Sequence, residues 1–230
     1  MTIARASPSQ AGGTIADATS PNTYVLPNNV TAGQLIVVGC ASDGTGVFAS
    51  GDCTKSAGTA TIGGFTLDKT VNQTTDQHSG IWSAIVTGSG SLTIAVATGG
   101  SFSIIGVQVY DGSWDSSRLE TSNSAVGTTS TTPSSGNGTS AGAAVFVGVL
   151  AVGNSASVSL TQDSNFASIF ESTDGTSHEV GEIIDRIVSS GTTDDANWTI
   201  SIAPTRTATV LAVYKEVAGG TDTLMGQVLT

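Results

Sequence analysis

The chain has 230 residues and a net charge of -11, and 65 of its residues are Ser or Thr (31 Ser and 34 Thr). Only 11% of the residues are charged, against roughly 25% in an average soluble domain. This composition excludes a long coiled coil, a basic nucleic-acid-binding protein and a chain that is disordered through its charge.

Short apolar runs alternate with turns rich in Gly, Ser, Asn and Asp, which is typical of successive β-strands. Val, Ile and Thr dominate the runs, as expected for pleated and half-buried surfaces. The run at 35–40 is apolar on both faces, so it predicts a central strand. The strongest predicted strands are 35–40, 92–97, 102–110, 143–152, 180–188, 198–202 and 209–217.

The two parts of the chain resemble each other. Residues 31–39 align with 140–148, and Val107-Gln108-Val109-Tyr110-Asp111 aligns with 211–215. His78 and His178 also stand at matching places, and we interpret each as the start of a strand at an exposed turn. The offsets between the two copies all lie between 100 and 109 residues, which indicates an internal repeat. Two copies are too few for a solenoid.

These patterns predict an all-β protein, an antiparallel β-sandwich built from two similar four-stranded halves; the jelly-roll-like form of that sandwich is what the resemblance described below implies. We expect an N-terminal arm at 1–22, one sandwich at 23–217 and a C-terminal tail at 218–230. The half-repeats are 23–126 and 140–217, joined by a polar linker at 127–139. Two small tandem sandwiches are the alternative; the single sandwich is preferred because four strands do not readily enclose a core.

The N-terminus has no apolar segment of the kind found in signal peptides, and no apolar run approaches the length of a membrane helix. We therefore expect neither secretion nor membrane insertion. Cys40 and Cys53 are the only cysteines. They could form a disulfide across the Gly-rich segment between them, or they could be two independent core residues in a reducing compartment.

No arrangement of residues predicts catalysis, a cofactor or a metal site. Gly138-Thr139-Ser140-Ala141-Gly142 has the spacing of a hydrolase nucleophile turn, but a loop precedes it and a strand follows. Residues 194–197 offer carboxylate oxygens without the spacing of a known calcium loop. Trp82 and Trp198 lie within predicted strands. Trp114 lies in a predicted surface turn, so it is the candidate contact for a sugar ligand.

Three segments carry a resemblance to a known family: Asn28-Asn29-Val30-Thr31-Ala32-Gly33-Gln34-Leu35-Ile36-Val37-Val38, 88–94 and 107–112. Together they resemble the Gly/Ser/Thr-rich jelly-roll modules of tailed-bacteriophage virion proteins. Such modules occur in head decoration proteins, head fibres and tail-associated proteins, and similar ones occur in bacterial surface and carbohydrate-associated proteins. The resemblance covers about residues 23–217 and describes strand and turn chemistry, with no active site.

The resemblance implies a non-enzymatic virion protein, assembled in the host cytoplasm, that decorates the capsid. Its partners would be the major capsid protein or other virion subunits, and further copies of itself in a homo-oligomer, bound through its arm or tail. A tail-associated or cell-surface module that binds a host glycan or receptor is the alternative. Neither nucleic acid nor a membrane is an expected partner.

Overall fold

A computed structural model describes residues 2–17, 20–44, 47–73, 76–100, 102–153, 158–173 and 179–217. Within these ranges the chain forms antiparallel strands and one short 3-10 turn, Ser50–Asp52. The all-β antiparallel sandwich predicted from the sequence is confirmed. The strands are Ala4–Arg5 (β1), Gly12–Asp17 (β2), Asn22–Val25 (β3), Leu35–Asp43 (β4), Cys53–Ala57 (β5), Thr61–Ile62 (β6), Thr66–Gln73 (β7), Gln77–Gly88 (β8), Thr93–Val96 (β9), Phe102–Asp111 (β10), Leu119–Gly127 (β11), Ser134–Ser140 (β12), Ala144–Gly153 (β13), Leu160–Gln162 (β14), Ala167–Thr173 (β15), Glu179–Val188 (β16), Thr192–Ile200 (β17) and Arg206–Lys215 (β18).

Each half of the chain forms one large sheet and one small sheet. In the first half, the large sheet has the order β2-β10-β4-β8-β7, with β1 also beside β10 and β6 also beside β8, and the small sheet has the order β3-β9-β5. In the second half, the orders are β11-β18-β13-β16-β15 and β12-β17-β14. Apart from the two short extra strands of the first half, both halves thus have one strand order. Consecutive principal strands lie in different sheets, as in a jelly roll, except for the pairs β7-β8 and β15-β16.

The number of strands in each half differs from the expectation of four. Each half has eight principal strands in two sheets, so the alternative of two tandem sandwiches describes the hydrogen bonding better than one shared sandwich. The strands missed by the sequence argument are short or polar. β12, for example, consists only of Ser, Gly, Asn and Thr. Apolar periodicity identifies strands with a broad apolar face and misses such strands.

The N-terminal region is part of the first large sheet, which corrects the prediction of an arm at 1–22. β1 and β2 both pair with β10, with Arg5 opposite Tyr110 and Ile15 opposite Ile104. Together they occupy the position along β10 that β11 occupies along β18. A Cβ atom at Gly13 would lie 2.1 Å from the Ile105 carbonyl oxygen, so only glycine fits there. The predicted tail at 218–230 lies outside the described residues.

The polar segment 127–139 also differs from the predicted linker, because its second part belongs to β12. Small residues are needed there because β12 packs closely on β18 of the same half. A Cβ atom at Gly138 would lie 2.6 Å from Cγ2 of Val213. The turn at 112–118, which joins β10 to β11, separates the halves instead.

The two large sheets pack face to face, and the apolar layer between them is called the seam below. It contains Val37 and Ile104 from the first half and Val147 from the second, all essentially without solvent exposure. Each half also has its own core between its large and small sheets, around Trp82 in the first half and Trp198 in the second. The molecule therefore has four sheet layers and three apolar layers between them.

A buried carboxylate of the second half accepts hydrogen bonds from the first half across the seam. Asp185 of β16 is 1% exposed and accepts hydrogen bonds from Arg5 at Nε (2.9 Å) and at the terminal guanidinium nitrogen Nη2 (2.5 Å). The Tyr110 hydroxyl donates a third hydrogen bond to the same carboxylate, at 2.8 Å. Arg5 and Tyr110 belong to the first half and Asp185 to the second, so this cluster ties the halves together.

A related cluster lies at the equivalent place on the other side of the seam. The Tyr214 hydroxyl of the second half donates to Asp68 of the first half at 2.7 Å, and Arg118 donates to the Ser83 hydroxyl at 2.9 Å. Tyr214 occupies in β18 the position that Tyr110 occupies in β10. Each half thus presents a tyrosine and an arginine to its partner, as across a two-fold interface.

The two clusters give a matched test of the seam. We expect Asp185→Asn to lower the free energy of unfolding by about 2–3 kcal/mol, because it removes the carboxylate from a bidentate arginine pair. Asp68→Asn should cost clearly less, because burial already raises the pKa of Asp68 and Arg118 binds Ser83. Urea unfolding of both variants at neutral pH measures the difference, and equal losses would contradict it.

Candidate functional site

The two cysteines face each other across the core of the first half. Cys40 lies on β4 in the large sheet and Cys53 begins β5 in the small sheet; both belong to the same buried cluster. Both are free thiols, so the possible disulfide is not formed in this structure. Burial raises the pKa of both thiols, which keeps them protonated at neutral pH and poorly reactive.

The thiols should therefore not react with thiol reagents in the folded protein. We expect a thiol reagent such as Ellman's reagent to label neither cysteine under native conditions and to label both in concentrated guanidinium without reductant. The absorbance of the coloured thiolate that the reagent releases gives the number of thiols that have reacted. A protein with no reactive thiol after unfolding would carry the disulfide and contradict the expectation.

Trp114 lies in the turn between β10 and β11, as the sequence predicts, but its ring is not displayed as a flat platform. It is partly buried and packs against the seam. A Cβ atom at Gly112 would lie 2.8 Å from two of its ring atoms, so the indole covers that glycine. Its Nε1 is buried without a hydrogen-bond partner. The contacts of Trp114 are those of a packing residue, and they lend no support to sugar stacking.

His78 is buried at the start of β8 instead of lying at an exposed turn. Its Nε2 donates to the Gly44 carbonyl, and its ring packs edge-on against Phe48 with centroids 6.1 Å apart. The matching His178 lies outside the described residues. The structure therefore gives His78 a packing role.

The other polar motifs make hydrogen bonds or ion pairs with other residues of the chain. Ser140, of the hydrolase-like spacing, is buried at the end of β12 and accepts a hydrogen bond from the Thr192 amide at 3.3 Å. Asp194 pairs with Arg186, and Asp195 accepts from the Ser134 hydroxyl at 2.5 Å. In the described ranges, no three His, Cys, Asp or Glu side chains come together as ion ligands.

One buried acidic residue was not identified from the sequence. Glu182 of β16 points into the core of the second half, where the Trp198 indole donates to its Oε2 at 3.0 Å. Burial raises its pKa from 4.5 to about 7, and the Glu171 carboxylate adds to the rise. Hydrogen bonds from Ser168 and Trp198 act in the opposite direction. The sequence offered no clear signal, because alternation along β16 is interrupted by Gly181.

Glu182 should make stability depend on pH. Its folded-state pKa lies above the unfolded value, so its neutral form favours folding at low pH, and this contribution is lost as pH rises from about 4.5 through 7. We compare the free energy of unfolding of Glu182→Gln with that of the unaltered protein at two pH values. We expect the difference in favour of the variant to be about 2–3 kcal/mol larger at pH 8 than at pH 4.5. Urea unfolding at both pH values tests this. Glu171→Gln, at an exposed acid, removes only the smaller carboxylate contribution and leaves Glu182 buried, so it should shift the dependence much less.

Comparison of the chain with protein-family models, curated protein sequences and solved structures finds no match. Among the described residues there is no helix long and apolar enough to cross a membrane. A groove of about 450 Å³ lies beside β5, at the side of the first jelly roll. This groove combines apolar side chains with an exposed strand edge, so it is the candidate binding surface.

Proposed function

We propose that this protein is a non-enzymatic structural protein of a bacteriophage virion, located on the outer surface of the head. There it binds capsid subunits and neighbouring copies of itself. The observation that carries the proposal is the strand order, which repeats a complete jelly roll in each half. Jelly rolls are typical of viral capsid proteins, although lectins and enzymes also use them. The order fits the virion modules that the sequence resembles.

The charge distribution supports an outward position. Of the seven basic side chains, Arg5, Arg186 and Arg206 pair with carboxylates, while Arg118 and Lys55 bind polar groups of the chain itself. With a net charge of -11, the exterior is acidic. Such a surface repels packaged DNA and suits the outside of a capsid shell.

The exposed polar surface supports packing against other subunits. Its strands carry many Ser and Thr side chains and few charges, so little charge has to be desolvated when two such surfaces meet. Since residues 4–17 are built into the first large sheet, we propose residues 218–230 as the segment that attaches the protein to the particle.

Removal of that segment tests the proposal. A chain that ends at Val217 retains every described strand, so we expect it to fold but to be lost from purified particles. The unaltered protein should co-purify with intact heads in many copies. Quantitative mass spectrometry of particles measures both, with Thr129→Ala in the polar turn after β11 as the control. Unchanged occupancy after truncation would contradict attachment through this segment, and absence of the unaltered protein from particles would contradict the virion role.

A further inference from the structure

The edge strand of the second large sheet, β15, pairs with β16 in two parts. The first part lies beside Asp185, whose carboxylate is held by Arg5 of the first half, and the second part is residues 170–173, called the β15 end below. The register shifts between the two parts, which leaves Ile169 without an opposite residue. No described strand pairs with the outer side of β15. Because such a bulge interrupts the ladder and bends the strand, it gives the β15 end a point at which to bend away from β16.

Two carboxylates oppose each other in the middle of the β15 end. Glu171 is directly opposite Glu182 in the ladder, so both side chains lie on the same face of the sheet. Glu171 is exposed, whereas Glu182 is buried and accepts its hydrogen bond from the Trp198 indole. Like charges directly opposite each other destabilise a strand pair. The ladder is therefore most stable while Glu182 is neutral.

The charged groups near Glu182 do not compensate a negative charge there. β13 and β14, which also border this core, contain no titratable side chain. On β17 Asp194 faces β16, but it pairs with Arg186, four residues along the strand from Glu182. Among the described residues, the charge that acts on Glu182 is the repulsive one of Glu171. An ionised Glu182 is therefore buried without a cation beside it, which is costly.

The first half has the same kind of edge without the two acids. β7 pairs with β8 and shifts its register just after Leu67, at the place where β15 shifts. Beyond the shift, Thr70 stands opposite Gly80, as Glu171 stands opposite Glu182. The two edges thus share their strand pairing and their bulge, and the second edge has the pair of carboxylates. β7 is therefore a matched comparison within the same molecule.

We propose that ionisation of Glu182 opens the β15 end, so that this edge of the second jelly roll is closed in mildly acidic solution and opens as the pH rises above neutrality. In the closed form Glu182 is dehydrated beside Glu171, and in the open form both carboxylates reach water and move apart. Opening releases a proton, because the pKa of Glu182 falls from about 7 in the closed form towards its ordinary value of 4.5 in the open form. Opening is therefore favoured as pH rises.

The opening also removes a contact between the two halves. A Cβ atom at Gly13 of β2 would lie 2.5 Å from Cγ of Phe170, so the phenyl ring covers that glycine. When the β15 end leaves β16, the ring leaves Gly13, and the freed backbone groups become available to another chain. The inference goes beyond the proposed function and does not depend on it.

Amide hydrogen exchange by NMR at pH 6 and pH 8 tests the proposal. With pKa values of about 7 and 4.5 in the closed and open forms, the opening constant rises about tenfold between these pH values. We expect the protection factors of the hydrogen-bonded amides among residues 170–173, corrected for the faster intrinsic exchange at pH 8, to fall about tenfold in the unaltered protein. In Glu182→Gln they should stay constant.

The amides among residues 69–72 of β7 are the internal control, and their protection factors should change little between the two pH values. An equal fall at β7 would assign the effect to unfolding of the whole molecule and overturn the proposal. Protection of the β15 end that does not change with pH, or that falls equally in Glu182→Gln, would overturn it too.

A thiol placed in the β15 end gives a second test. Ser172 is buried and its hydroxyl has no hydrogen-bond partner, so Ser172→Cys removes no hydrogen bond. The rate of labelling by Ellman's reagent is compared in Ser172→Cys and in Ser172→Cys/Glu182→Gln, with the unaltered protein as the blank for the two buried native cysteines. Because both variants carry the same introduced thiol, its own ionisation cancels in the ratio of their rates. We expect this ratio to rise about tenfold from pH 6 to pH 8, and a constant ratio would overturn the proposal.

Discussion

The structure depends on covering both faces of two large sheets. In each half, one face of the large sheet packs on the small sheet, and the other face is equally apolar. β13 is buried along its whole length, and β4 is buried at every residue but the last. A sheet with two apolar faces requires two covers, and the large sheet of the opposite half is the second one. The seam is thus as much a core of this protein as the interiors of its two jelly rolls.

Polar groups fix how the two large sheets meet. Apolar side chains alone would tolerate sliding, since Val, Ile and Ala make similar contacts in several registers. The Arg5–Asp185–Tyr110 cluster places one charged group opposite one partner, and a buried carboxylate away from that partner would be costly. The two clusters differ in detail, since Asp185 accepts two hydrogen bonds from Arg5, whereas Asp68 accepts from Tyr214 and Arg118 donates to Ser83.

The inner strands could be predicted from the sequence because their two apolar faces give continuous runs, as at Leu35–Cys40. The edge strands could not, because β12 packs through glycine and serine and β2 depends on a close approach at Gly13. The repeat was also visible, but with Leu35 matched to Ala144. The ladders place Leu35 opposite Tyr110 and Val145 opposite Tyr214, so the true match is Val145. A shift of one residue reverses the faces of a strand, and only strand pairing settles it.

The candidate binding surface was beyond the reach of the sequence for a different reason. Ile62 and Phe65 read as ordinary apolar residues in a Gly-rich stretch, and only the ladder of β9 shows that β5 is left with one free edge. The acid in the second core was hidden in the same way. Glu182 occupies the place that Gly80 takes in the first half, where the glycine makes room for Trp82.

The relation between the halves has a consequence for how small this fold can be. Either jelly roll alone would present to water the whole apolar face that now forms the seam. Because the halves meet as across a two-fold axis, a half-length chain would satisfy that face by pairing with an identical one. Joining the halves in one polypeptide makes this pairing independent of protein concentration. It also frees each side to acquire features of its own, such as the groove beside β5.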